Sequence, residues 1–215
     1  MRSLAHSVYE KRRRTSSTFM NHLAHLFLAG QSPESLIGNL AGDFVKGPLR
    51  DRFAPGIHDG IMQHRRIDAF TDAHPTVAAF RRVLIPEHGH YARVIADMFL
   101  DHFLACRFDE YGGEPLEAFL SRTYATIDPH EELLPGMLRW VYPRMRDEGW
   151  LESYRDVDGI HLALTNMSRR FSRRPRLETA TRHLTDSRAE LERRFEEFFP
   201  EVMEFSSRTA DASCS

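Results

Sequence analysis

Val94-Ile95-Ala96-Asp97-Met98-Phe99-Leu100-Asp101-His102-Phe103-Leu104-Ala105-Cys106 sits inside a segment, Glu87 to Arg107, that reads as one buried helix. A helix apolar on nearly every side belongs in a core. This one nevertheless carries two acids and a histidine. At about 100° per residue Asp101 falls beside Val94 and Met98, with His102 about a quarter turn away. Asp97 and Asp101 are one turn apart. An unpaired buried charge costs on the order of several kcal/mol, so these groups need partners. A metal ion held between helices would neutralise several of them at once.

Working outward, His64-Arg65-Arg66-Ile67-Asp68 repeats the pattern. His64 and Asp68 fall on the stripe of Ile57 and Ile61, and Asp72 extends it to i, i+4, i+8. The same spacing fits a salt-bridged helix in which Arg65 or Arg66 pairs with Asp68 or Asp72. His22 and His25, at i and i+3 on a short apolar helix, equally fit hydrogen-bonded core histidines. Asp43 lies near the end of an apolar helix, where the helix dipole disfavours an acid. Mixed imidazole and carboxylate donors suit Mn²⁺, Fe²⁺ or Zn²⁺ better than Ca²⁺. Such an ion lowers the pKa of a bound water and steadies charge on phosphoryl oxygens. An arginine could clamp the phosphate bidentately.

The punctuation elsewhere is that of helices and short loops. Asn21 to Ala29 is a short helix, and Ser32-Pro33 opens another that should run to about Lys46. Further helices are expected over Gly56 to Ala73, Thr76 to Leu84, Glu114 to Ala125, Leu133 to Asp147, Val157 to Arg170 and Arg176 to Phe199. Period-2 alternation is scarce, so the expected class is all-α. Residues 1–19 are basic, Ser-rich and aperiodic, the pattern of a disordered extension, and Met20 is a candidate start. A helical domain over 20–200 and a flexible, polar tail over 201–215 complete the expected division.

The bulk balance, 29 Lys and Arg against 31 Asp and Glu, does not call for nucleic acid as partner. Only two cysteines, Cys106 and Cys214, are present, which argues against a disulfide framework and points to a reducing cytoplasm. No apolar run is long enough for a transmembrane helix. Glycine-rich phosphate loops, Cys-x-x-Cys pairs, nucleophile elbows and His-Glu-x-x-His signatures are absent from the sequence.

Four motifs in series carry a resemblance. Asn21-His22-Leu23-Ala24-His25-Leu26, then Gly38-Asn39-Leu40-Ala41-Gly42-Asp43-Phe44-Val45-Lys46-Gly47, then His64-Arg65-Arg66-Ile67-Asp68 with Thr71-Asp72, then Asp101-His102-Phe103-Leu104 resemble the acyl carrier protein phosphodiesterase family. Order and spacing match from Met20 to about Arg107, and more loosely to about Phe199. The resemblance implies a divergent, all-helical relative of HD-type phosphohydrolases. Its implied reaction is hydrolysis of the phosphodiester joining 4′-phosphopantetheine to a serine of holo-acyl carrier protein, with a divalent metal, typically Mn²⁺.

Carried across by motif, His25, Asp43, His64, Asp101 and His102 are the expected metal ligands. Asp43, His64, Arg65 and Asp68 are the expected catalytic residues. Asp68, Asp72 and His102 serve either as ligands or as partners that orient a histidine. The Ala41-Gly42 pair before Asp43 departs from the bulkier residue common there. An acidic carrier protein calls for basic docking surface, and Arg169, Arg170, Arg173, Arg174 and Arg176 offer it, with Arg81 and Arg82 as further candidates. A solvated loop between helices explains the same run. Two other functions stay open: an HD-like phosphohydrolase acting on a nucleotide or other small phosphoester, and a non-enzymatic helical binding module.

Overall fold

Three prolines set helix starts. Pro33, Pro55 and Pro75 each follow a residue with extended backbone and occupy the first helical turn, where the missing N–H leaves no bond unmade. Ser32 adds a side-chain cap, accepting from the Ser35 amide at 3.2 Å. The computed structural model describes residues 22–211. In order, its helices are α1 (His22–Leu28), α2 (Pro33–Ala41), α3 (Pro55–Ala73), α4 (Pro75–His88), α5 (Ala92–Cys106), α6 (Phe108–Gly112), α7 (Leu116–Ile127), α8 (Leu138–Asp147), α9 (Trp150–Ser153), α10 (Val157–Ser168), α11 (His183–Asp186) and α12 (Arg188–Asp211). Short 3₁₀ turns join several of them, and no strand occurs among the described residues. The fold is all-α, in one helical domain, and among the described residues no helix is long and apolar enough to cross a membrane.

Helix α5 is the hub. Twelve of its residues are buried, Asp101 and His102 among them, and it packs against α1, α4 and α10. Helices α2 and α3 pack against each other through glycines. A Cβ on Gly38 would stand 2.6 Å from the Ile57 carbonyl oxygen and 2.7 Å from the Gly60 Cα. Only the absence of both side chains lets the two backbones approach so closely. Helix α12 lies across α3 and α4. Its Phe195 and Phe199 stack at 4.9 Å and meet Tyr111 edge-on.

Several boundaries differ from the sequence reading. The helix expected to reach Lys46 ends at Ala41, and the one expected from Leu133 begins at Leu138. The one expected over Arg176 to Phe199 is a 3₁₀ turn, Leu177–Arg182, followed by α11 and α12. Glu87 to Arg107 is not one helix: Gly89, at φ +52°, ends α4 after His88, and a 3₁₀ turn over Gly89–Tyr91 precedes α5. Apolar periodicity runs on across that break, whereas a left-handed φ is what stops the helix. The last helix also does not end near Phe199. It continues to Asp211, with Glu201 paired to His74 at 3.2 Å and Ser206 buried, bonding the Leu28 carbonyl at 3.0 Å. Residues 212–215 of the expected tail, and the expected extension 1–19, lie outside the described residues.

Candidate functional site

Asn39, on α2, shows why the close approach of α2 and α3 matters. Its carbonyl lies 2.8 Å from His64 Nδ1 on α3. A carbonyl can only accept, so Nδ1 carries a proton and Nε2 is the nitrogen left to meet the carboxylates or, once deprotonated, a cation. That Nε2 faces Asp68 Oδ2 at 3.3 Å and Asp43 Oδ1 at 3.8 Å. From α1, His25 Nε2 meets Asp68 Oδ1 at 3.2 Å, and the His25 and His64 rings stack 3.7 Å apart. His25, His64 and Asp68 place their ligand atoms within 4.8 Å of one another. His22 Nδ1 lies 3.8 Å from Asp43 Oδ2, and neither of its ring nitrogens has a hydrogen-bond partner.

Gly42 completes this corner. A Cβ there would lie 2.2 Å from the His64 ring, so the small residue before Asp43 makes room for the imidazole. The 3₁₀ turn Gly42–Phe44 then turns Asp43 toward the histidines.

The electrostatics suit a cation. Burial first, then the neighbouring imidazoles, pushes His22 down to about 3 and His25 down to about 4, although Asp68 pulls His25 back up. Both are therefore neutral donors near pH 7. Burial also opposes charge on His64, but its Asp68 hydrogen bond and the charges of Asp43 and Asp68 win, and its pKa is raised. Burial alone would raise the Asp68 carboxyl; hydrogen bonds from His25 and His64 hold it well below the usual carboxylate range. Two neutral imidazoles, a third with its far nitrogen oriented by a carbonyl, and two carboxylates fit a divalent cation such as Mn²⁺, Fe²⁺ or Zn²⁺.

The cluster opens on a cavity of about 410 Å³ lined by Asp43, Lys46, Asp68, Arg93, Asp97 and Phe171, among others. Asp97 sits in its wall, 3.7 Å from Arg81. Burial pushes its carboxyl up to about 7 against the pull of Arg81. Asp72, also in the wall, pairs with Arg81 at 2.8 Å and with Arg93.

Several expected site residues sit elsewhere. Asp101 does not join the cluster: its two oxygens accept from the Leu23 and Ala24 amides at 3.0 and 2.9 Å. It serves the N-terminus of α1 as a cap supplied from another helix, and so holds His22 and His25 in place. His102 Nδ1 donates to the Tyr154 carbonyl at 2.8 Å, and its other neighbour is Cys106. A quarter turn on α5 is enough to point it away. Arg65 is turned to the backbone, where its Nη2 donates to the Val45 and Gly47 carbonyls at 3.0 and 2.9 Å. It fixes the loop that follows Asp43. Arg66 is exposed.

Sequence reasoning missed Asn39, Lys46 and Arg93. Asn39 and Lys46 both lie inside the Gly38–Gly47 motif, but of these two only Lys46 acts through its side chain. The other two act through a backbone carbonyl and a change of direction after Tyr91, neither of which leaves a mark in residue type.

Comparisons with known proteins point to one family. A sequence model of the family described as acyl carrier protein phosphodiesterase matches residues 20–202. The acyl carrier protein phosphodiesterase of Serratia proteamaculans is 37% identical over 191 residues, covering 86% of this chain and 96% of the relative. Those of Salmonella agona and Salmonella newport are each 36% identical over 195 residues, 89% of this chain and 100% of theirs. No solved structure matches the chain.

Proposed function

Because this chain belongs to the acyl carrier protein phosphodiesterase family, we propose that it hydrolyses the phosphodiester linking 4′-phosphopantetheine to a serine of holo-acyl carrier protein, giving apo-carrier and free phosphopantetheine. The observation that carries this reading is the convergence of His25, His64 and Asp68, with Asp43 beside them, next to a cavity that Asp43, Asp68, Lys46 and Arg93 line. We further propose His25, His64, Asp68 and Asp43 as the residues that hold a divalent ion, Mn²⁺ by preference, in an arrangement of the HD type. Such an ion, when bound, supplies Lewis acidity toward a phosphoryl oxygen and a lowered pKa for water.

The chain's own residues do the rest. Asn39 keeps the His64 proton on Nδ1, so Nε2 stays available as a donor atom. Arg65 holds the Val45–Gly47 backbone, and with it the approach of Asp43. Lys46 and Arg93 offer positive charge to the non-bridging phosphoryl oxygens, the role first expected of Arg65. Asp97, whose carboxyl is pushed up to about 7, is placed to lend a proton to the departing serine oxygen.

A protein substrate is favoured by the loop between α10 and α11. Arg169, Arg170, Arg173, Arg174 and Arg176 are all exposed there, while Phe171 of the same loop lines the cavity and meets Tyr91 edge-on at 5.1 Å. Arg170 lies close enough for its charge to bear on His22. The basic loop therefore borders the cavity, where an acidic carrier delivering its prosthetic group would rest.

The deciding experiment incubates the protein with holo-acyl carrier protein and Mn²⁺, with and without EDTA, and reads intact mass. Loss of the phosphopantetheine mass only with metal supports the reading. An unchanged mass across several divalent metals, with cleavage of a nucleotide or other small phosphoester instead, would replace it.

A further inference from the structure

We infer that the chain carries a second divalent-metal site, formed by Glu87, His88 and His183 and selective for zinc-class ions. These residues place one ligand atom each within 4.8 Å of one another, and His88 immediately precedes the Gly89–Tyr91 turn whose His90 and Tyr91 line the cavity. His88 is the last residue of α4, His183 the first of α11, and each is 8% exposed.

Both Nε2 atoms are buried and without a hydrogen-bond partner. Leaving two such atoms unsatisfied costs roughly 1–3 kcal/mol each, and nothing in the packing explains why they should be so left. The rings meet edge to face with centroids 5.8 Å apart, so neither ring lies stacked under the other. Glu87 Oε1 lies 3.7 Å from His183 Nε2, too far to satisfy it. Its other oxygen pairs with Arg182, which anchors the carboxylate without occupying Oε1. Burial first, and for His88 the neighbouring His183, holds both imidazoles below their ordinary pKa, so each is a neutral donor near pH 7.

Two imidazoles and a carboxylate, with a solvent-facing edge that admits water as fourth ligand, form a donor set that zinc takes tetrahedrally. A single ion here would tie the C-terminus of α4 to α11. It would thereby fix the turn that carries His90 and Tyr91 into the cavity wall. This site is separate from the His25–His64–Asp68 cluster, and its existence does not depend on which phosphoester the chain cleaves.

The test uses the full chain in a His25→Gln/Asp68→Asn background, so that the first cluster cannot mask the second. Zinc content after gel filtration is read by mass spectrometry, and Co²⁺ substitution by its visible d–d absorption. The expected result is about one zinc per chain and a tetrahedral Co²⁺ spectrum, with a zinc-dependent rise in Tm. His88→Gln and His183→Gln should abolish all three. Glu87→Gln, at an exposed position that cannot disturb packing, should weaken zinc binding roughly tenfold or more. Zinc content and affinity equal in the background protein and in Glu87→Gln and His183→Gln, or no zinc in the background protein at all, would overturn the inference.

Discussion

Asp101 is the residue at which the two uses of a buried acid separate. A ligand and a helix cap both put a carboxylate on an apolar face, and spacing along α5 cannot tell them apart. The bonds favour the cap: both oxygens are engaged by α1 amides. Asp101→Asn keeps the shape but leaves one oxygen for two donors, so one amide is orphaned at a cost of about 1–3 kcal/mol. The metal-free protein should lose that stability in a denaturant titration, with Mn²⁺ affinity falling as His22 and His25 loosen. Unchanged metal-free stability combined with abolished Mn²⁺ binding would instead make Asp101 a ligand. Asp97, one turn earlier, supplies the pH dependence. Burial raises its folded pKa to about 7, while an unfolded carboxyl titrates near about 4. The folded chain therefore holds the proton more tightly, and stability is lost as pH rises from about 4 to about 7. Asp97→Asn should be neutral near pH 4 and stabilising by about 1–2 kcal/mol above pH 7. That is less than the full shift implies, because the side chain keeps 15% exposure and loses Arg81. A difference flat across pH would show that Asp97 ionises normally.

Helices α2 and α3 are the elements on which the site depends. Gly60 is where they nearly touch: a Cβ there would lie 2.9 Å from both the Gly38 Cα and the Ser35 carbonyl oxygen. Neither obstacle is a flexible side chain, so Gly60→Ala must part the helices. Overpacking of this kind costs about 1–3 kcal/mol. It should also stretch the Asn39–His64 bond, so that Tm and Mn²⁺ affinity fall together; an unchanged Tm would mean the helices have slack. Much at this scale was legible in the sequence. Proline at three helix starts, Ser32 as cap and the 3.6-residue recurrence on α3 and α5 gave the all-α class and the stripe that joins His64 to Asp68. What was not legible was set by backbone or by distance. The stop at Gly89 depends on a positive φ that no periodicity records. The continuation of α12 past Phe199 depends on Ser206 and Glu201 finding Leu28 and His74. Arg65 read as a phosphate clamp because its carbonyl partners lie 18 and 20 residues earlier in the chain.

Across the whole molecule, charge is arranged, not accumulated. A net charge of −2 conceals an arginine loop at the border of a cavity lined by the carboxylates of Asp43, Asp68, Asp72 and Asp97. The loop and the cavity are joined by Phe171, so one element both faces outward to a partner and walls the site. If the loop receives an acidic carrier protein, its contribution is long-range and exposed, hence screened by salt. Raising salt from about 0.01 to 0.15 M shortens the Debye length from about 30 to about 8 Å. KM for holo-carrier should climb over that range while kcat holds, because steering acts on encounter and not on the chemical step. Arg173→Glu/Arg174→Glu reverses two exposed charges, each contributing up to about 1 kcal/mol, so KM should rise about tenfold and the salt dependence should flatten. Cleavage of a small phosphodiester such as bis-p-nitrophenyl phosphate uses the same cluster without the loop, and should be indifferent to both salt and variant. Equal losses on the two substrates would mean the loop supports the cavity wall instead of meeting the carrier.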